Sequence, residues 1–246
     1  MRYFMAMAFV AAMCGSANAE LSVVVEQADN SAAPELIGYV TQDIVIDTTT
    51  DWLSAQLIVT LDTPGQIYQH PLQYGDGSPS PALISTDISA AFDTYVSNGV
   101  LGTNIVTMSP VGLGGTVKVF DQDHISVSWF TMSSDETGNR PLARISLAES
   151  ANGTWIFRST ASPAGGPVVE MSGKVVSGVM CVAGDLDASY WVGQMDLDIV
   201  LDSWQHTVPY GDRADPTNDG VVNQDDLDVV TRYWGFPRVP IRYEEP

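Results

Sequence analysis

Asp215-Pro-Thr217-Asn-Asp219-Gly220-Val221-Val222-Asn223-Gln-Asp-Asp226 stands 30 residues after Asp185-Leu-Asp187-Ala-Ser189-Tyr190-Trp191-Val192-Gly193-Gln-Met-Asp196, and these two stretches decide how the chain is organised. Superposed at that offset, Asp185 meets Asp215, Val192 meets Val222, Gln194 meets Gln224, and Asp196-Leu197-Asp198 meets Asp226-Leu227-Asp228. Val200 then falls on Val230, and Trp204 on Trp234. A self-match this dense marks a tandem repeat. Each copy continues into an apolar series at helical spacing: Leu197, Val200, Leu201 and Trp204 in the first, and Leu227, Val230 and Trp234 in the second. That pattern predicts two short helices, each entered from an acidic loop, with buried stripes that can face each other. Gly235 and Pro237 end the second helix.

The loops carry oxygen donors at a meaningful spacing. Calcium takes about six to eight oxygens at roughly 2.3–2.6 Å, and a loop can supply them from positions 1, 3, 5, 7, 9 and 12. In the second copy those positions hold Asp215, Thr217, Asp219, the Val221 carbonyl, Asn223 and Asp226. Gly220 sits at the sharp turn, where a positive φ is wanted, and Val222 can pin the loop to a core. Thr217 brings a neutral hydroxyl where Asp or Asn is usual. The first copy keeps carboxylates at positions 1, 3 and 12 through Asp185, Asp187 and Asp196, with Ser189 and the Trp191 carbonyl between them. It departs at Tyr190, where Gly is wanted, and at Gly193, which can offer only a bound water. A non-Gly residue in the left-handed region costs about 1–2 kcal/mol, about tenfold in affinity. The first loop is therefore expected to bind more weakly, and the chain to hold one or two calcium ions.

Loop followed by helix, given twice without the entering helix of a full EF-hand, resembles the type I dockerin family over about 50 residues, Asp185 to Gly235. The Asp-Leu-Asp and Trp elements after each loop look like the dockerin-type repeats at the ends of exported bacterial proteins. The resemblance implies a calcium-stabilised module that docks to a cohesin-type β-sandwich or tethers the protein to another exported protein. Positions that often hold Ser or Thr pairs in that family are Gln194-Met195 and Gln224-Asp225 here, so calcium binding carries over better than cohesin recognition. A module this small, with few large apolar groups and dense negative charge, is expected to couple folding to metal binding.

Composition agrees with a cation as counterpart. The formal charge is −20, and 11 of the 22 aspartates lie between Asp185 and Asp228. Such a balance argues against nucleic acid and anionic membrane as partners. The chain opens with Arg2, an apolar run from Phe4 to Met13 and the small-residue series Ser16-Ala17-Asn18-Ala19, which reads as a signal peptide over 1–19. No run approaches the roughly 20 apolar residues of a membrane span. A secreted, extracellular or cell-surface location is expected. After cleavage Cys181 is alone, so no internal disulfide braces the fold.

From Leu21 to about Val179, β-branched and aromatic runs alternate with Gly, Pro, Asn, Asp and Ser clusters. Strands are predicted at Leu21 to Glu26, Tyr39 to Asp47, Ala55 to Thr60, Thr116 to Phe120, Ile125 to Phe130, Leu142 to Leu147, Thr154 to Phe157 and Val168 to Val176, with a short helix at Ser89 to Ser97. The fold class is thus mostly β, an antiparallel β-sandwich or jelly roll over 20–180. The dockerin-like module follows over 181–236, and a tail over 237–246. The glycine-rich pieces Gly112 to Gly115 and Gly165-Gly166 lack the Lys and Ser/Thr of a phosphate loop and read as turns. His70, His124 and His206 are isolated, and no nucleophile motif is present, so no enzymatic activity is expected. The acidic clusters Asp121-Gln-Asp123-His124 and Asp135-Glu136 read as solvated turns. The aromatics Trp52, Tyr68, Tyr74, Tyr95, Trp129 and Trp155 read mostly as packing. The function expected is an exported calcium-binding interaction or structural protein. The alternative is a carbohydrate-binding or glycoside-hydrolase component of a polysaccharide-degrading assembly, with such acids or aromatics on one groove.

Overall fold

The computed structural model describes residues 21–72, 75–102, 105–110, 117–130, 138–161, 168–187, 189, 191–209, 212–217 and 219–235. The segment 1–19 expected to be a signal peptide, Tyr74, the glycine-rich pieces, the Asp135-Glu136 pair, Tyr190 and the tail fall outside them.

Within the described residues the chain is mostly β, with eleven strands. They are β1 (Leu21–Ala28), β2 (Tyr39–Thr48), β3 (Trp52–Leu61), β4 (Tyr95–Val96), β5 (Val106–Met108), β6 (Val119–Phe120), β7 (His124–Phe130), β8 (Gly138–Ala148), β9 (Gly153–Ala161), β10 (Val168–Val176) and β11 (Val179–Val182). A four-stranded sheet runs β1-β2-β8-β4, and a larger one runs β11-β10-β9-β3-β7-β5 with β6 also on β7. Every pairing is antiparallel. Alternation sets the faces: Ile44 and Ile46 on β2, Leu57 and Val59 on β3, Ile125, Val127 and Trp129 on β7, and Ala143 and Ile145 on β8 join one apolar cluster between the sheets. This is the arrangement of a β-sandwich.

The eight predicted runs all hold strand, most of them extended by a few residues at either end. The predicted run from Thr116 is seen only as Val119–Phe120. The helix expected over Ser89 to Ser97 is a correction: Ile88–Phe92 is a 3₁₀ turn, Tyr95–Val96 is a strand on β8, and an α-helix, α1, lies earlier at Pro81–Thr86. Local capping explains it. Ser80 accepts from the Leu83 N–H to start α1 and Pro81 occupies its first position, while Asp87 accepts from the Ser89 N–H to start a second, tighter turn.

Of the aromatics expected to pack, those among the described residues do so. Trp52, Trp129 and Trp155 are fully buried, and each indole N–H has a partner: Ser159 Oγ at 3.1 Å, the Ser97 carbonyl at 2.8 Å and the Cys181 carbonyl at 2.9 Å. Tyr95 is buried, and Tyr68 stands edge-on to Tyr39 with centroids 5.6 Å apart. The three indoles are therefore closed to a sugar ring.

Gln42 ties the sheets together at one edge. It is buried on β2, yet its amide donates to the Gly178 carbonyl at 3.0 Å and accepts from the Met180 N–H at 3.0 Å. Those groups bracket the start of β11, so one side chain satisfies backbone that the opposite sheet leaves without a ladder partner. The boundary drawn at 180/181 falls inside β11, and Val182 packs against both the sandwich core and a second cluster beyond it. Cys181 is buried and reduced, and burial first, then Asp185 and Asp187, push its thiol up to about 12.

Beyond β11 two helices follow, α2 (Gln194–Asp202) and α3 (Gln224–Arg232), at the predicted places. Val200 and Val230 are buried in a shared cluster with Val192, Ala214 and Val222. Trp204 is half-buried against it, whereas Leu201 and Trp234 are exposed. Both tryptophans lie just past their helices, which end at Asp202 and Arg232, so the stripe predicted to run through them is buried only as far as Val200 and Val230.

Candidate metal centre

The first turn of each helix holds an aspartate that closes the loop before it. Asp196 Oδ2 accepts from the Gly193 N–H at 2.8 Å, and its Oδ1 accepts from Leu186 at 2.6 Å and Asp187 at 3.2 Å. Thirty residues on, Asp226 Oδ2 accepts from the Asn223 N–H at 2.8 Å, and its Oδ1 from the Thr217 N–H at 3.2 Å and hydroxyl at 2.8 Å. In both copies, then, the position-12 carboxylate holds the N–H groups of positions 3 and 9. It also lies in the first turn of a helix, where the dipole favours negative charge.

Position 1 repeats the logic. Asp185 Oδ1 accepts from the Ser189 N–H at 3.0 Å, and Asp215 Oδ1 from the Asp219 N–H at 3.3 Å. Asp215 Oδ2 further accepts from Gly220 at 2.8 Å, and Gly220 has φ 88°, the turn predicted for it. Burial pushes the Asp215 carboxyl up, but the Gly220 N–H, the Thr217 hydroxyl, the Asp219 N–H and Asp226 outweigh it, and the net position is below the usual carboxylate range.

The two loops differ in how far their carboxylates converge. Asp185, Asp187 and Asp196 each bring one oxygen within 4.8 Å of the others, and the trio could hold a metal ion. Two oxygens on opposite sides of an ion bound at about 2.5 Å stand about 5 Å apart, so the span fits one cation of calcium's size. Every donor is oxygen, the chemistry of a hard ion. In the second loop Asp215 and Asp226 are bridged by the Thr217 hydroxyl, while Asp219 turns away to accept from the Val221 N–H at 2.8 Å and from the Asn223 amide at 3.3 Å. The Val221 carbonyl accepts from the same amide at 3.0 Å, and the Trp191 carbonyl accepts from Ser189 Oγ at 3.1 Å. The side-chain direction of Gly193 is filled by the Trp191 indole, since a Cβ there would lie 2.7 Å from its Nε1. The place allotted to a bound water is thus occupied by a ring.

The halves are also crossed, a feature the repeat alignment did not reveal. The Gln205 N–H donates to the Val222 carbonyl at 2.8 Å, and the Gly235 N–H donates to the Val192 carbonyl at 2.9 Å. Gln205 and Gly235 are 30 residues apart, as are Val222 and Val192, so each helix end is bonded to the other copy's loop. Both donors have positive φ, 62° and 76°.

Elsewhere the acids have structural partners. Asp121 Oδ1 accepts from the Asp123 and His124 N–H groups at 2.9 Å each, and Asp123 accepts from the Gly65 N–H, so these two close turns. His70 is buried, with Nε2 3.1 Å from Asp87 Oδ2. Ser89 Oγ donates to Asp87 Oδ1 at 2.6 Å, which puts the carboxylate between serine and histidine, so no imidazole base contacts this hydroxyl. Among the described residues no helix is long and apolar enough to cross a membrane. No model of a known protein family and no curated protein matches the chain, so the centre is interpreted through its own geometry.

Proposed function

We propose that this chain is an exported, non-enzymatic interaction or structural protein, a β-sandwich tethered through a calcium-folded, dockerin-like C-terminal module. The observation that carries the reading is the repeated polar scaffold: Asp196 and Asp226 each hold the N–H groups of positions 3 and 9, and Asp185 and Asp215 each hold that of position 5. Calcium would be held by Asp185, Asp187, Ser189, the Trp191 carbonyl and Asp196 in the first loop. In the second it would be held by Asp215, Thr217, Asp219, the Val221 carbonyl, Asn223 and Asp226. Its charge would offset the mutual repulsion of the carboxylates and favour the folded loops over open ones. A cohesin-type β-sandwich or another exported protein is the partner class this reading favours.

Calorimetric titration of the full chain with calcium tests it, beside Asp185→Ala/Asp187→Ala and Asp215→Ala/Asp219→Ala variants and with circular dichroism recorded at each point. Saturable binding with a gain of helix, and loss of one site in each variant, is the expected result. Absence of binding up to millimolar calcium would leave the repeat as an acidic appendage and return the question of function to the sandwich.

A further inference from the structure

Residues 81–96 are fastened to β8 of the four-stranded sheet at their C-terminal end, and that attachment contains an unusual group. Arg144 Nη1 donates to the Ala91 carbonyl at 2.7 Å, Ser146 Oγ donates to the Phe92 carbonyl at 2.6 Å, and the Ser146 N–H donates to Thr94 Oγ1 at 3.1 Å. Phe92 also lies under the Arg144 guanidinium, 5.7 Å from ring centroid to Cζ. Among these bonds sits Asp93, with no exposed surface. Its Oδ1 accepts from the His70 N–H at 2.7 Å, and its buried Oδ2 has no hydrogen-bond partner.

We propose that residues 81–96 form a proton-sensitive latch, closed on the sheet while Asp93 is protonated and released when that carboxyl ionises. The surroundings explain why. The cation nearest in the sheet, Arg144, is already engaged by both oxygens of Asp43, at 2.7 and 2.6 Å. The other titratable groups at this corner are Tyr68, Tyr95, Glu35, Asp87 and His70. His70 Nδ1 accepts from the Leu72 N–H at 3.2 Å, so its proton is on Nε2 and directed at Asp87, not at Asp93. Among the described residues no group is left to neutralise an ionised Asp93, and a buried uncompensated charge favours whatever motion brings it to water.

Burial raises the Asp93 carboxyl from 3.8 to about 7, against the pull of the His70 and Thr94 N–H groups. For an acid raised in the closed form, the stabilisation is complete below the ordinary value and is lost as pH rises through the raised one. The ratio of open to closed segment should therefore climb about tenfold per pH unit between roughly 4 and 7, then level off.

Amide exchange in the native full chain reads this ratio at the Ser146 and Val96 N–H groups, which are bonded to Thr94 Oγ1 and to the Asp76 carbonyl when the segment is closed. After correction for intrinsic base catalysis, opening in the wild type should rise about fiftyfold from pH 5 to 7. In Asp93→Asn it should not change, and amides of β3 and β9 should be insensitive in both. Carboxyl carbon NMR of the wild type gives a reading that needs no variant, with an Asp93 midpoint near 7 expected. A midpoint near 4, a flat wild-type profile, or an equal slope in Asp93→Asn would overturn the latch.

Discussion

Asp93 in the sandwich and Asp215 in the C-terminal repeat are both without exposed surface, yet their carboxyls shift in opposite directions. Burial raises Asp93 because one oxygen lacks a partner. It fails to raise Asp215 because N–H groups, a hydroxyl and a neighbouring aspartate surround both oxygens. Asp93 also lies deeper in the protein than Asp215, so depth of burial and the count of donors together decide ionisation. The same contrast holds for the two regions as wholes. Among the described residues, 23 buried side chains form the sandwich core and 5 form the repeat core, so the first region is held by apolar packing and the second by hydrogen bonds around carboxylates. Acid should tighten the Asp93 corner. In the metal-free chain acid should loosen the Asp215 loop, whose stabilisation exists above the ordinary carboxylate value and is lost as pH falls through its depressed one.

The largest effect that would sharpen this division is expected from Trp129→Ala. Trp129 is fully buried, stands 6.3 Å from Phe157 by ring centroids, and bonds the Ser97 carbonyl. Truncation removes an aromatic from a closed core and should cost about 3–5 kcal/mol in urea unfolding followed by circular dichroism. Calcium affinity should be unchanged. A parallel loss of calcium binding would mean that the two regions unfold as one unit and would break the comparison.

A smaller loss is expected from Gln42→Leu, which keeps much of the volume but leaves the Gly178 carbonyl and Met180 N–H without partners. Two backbone groups stranded in the interior should cost about 2–4 kcal/mol together. Amide exchange should localise the loss to β11, ahead of the rest of the sheet. Uniform protection would show that β11 is held by β10 alone.

What the sequence made legible follows from the length of each signal. The alternation of Ile44 and Ile46 with Asp43 and Asp47, and of Val127 and Trp129 with Ser126 and Ser128, extends over enough residues to name the strands and their core-facing side chains. The wet face it suggests is wrong for Val45, Ser126 and Ser128, which are buried as well. Tyr95–Val96 and Val106–Met108 are too short to carry any period, and their pairing with β8 and β7 is a tertiary fact. The 30-residue self-match located both loops and both helices, since ligand spacing is local. It did not show that Asp219 caps the Val221 N–H, nor that the Trp191 ring covers Gly193, because side-chain direction is not written in spacing. The Asp93 corner was out of reach altogether. Tyr68, His70, Asp93 and Arg144 meet only once the chain is folded, and no motif joins them.

The finest division lies inside the repeat, where Gln205 and Gly235 occupy equivalent places with different residues. Both have positive φ and both donate across to the other copy's loop, so the backbone demand is the same and the side chain differs. A Cβ at 235 would meet nothing within 4 Å, so Gly235→Ala tests conformation without a clash. It should destabilise the helical pair by about 1 kcal/mol, since an L side chain is disfavoured in the left-handed region. Gln205→Gly should act in the opposite sense, by about 0.5–1 kcal/mol, because it removes that strain at some cost in backbone entropy. Thermal unfolding of α2 and α3, read by exchange at the Leu197 and Leu227 N–H groups, measures both. Opposite signs would show that the crossed bonds impose one geometry on two unequal sequences. Equal signs would mean that one helix end adapts to its residue, and that the two halves are alike in sequence more than in mechanics.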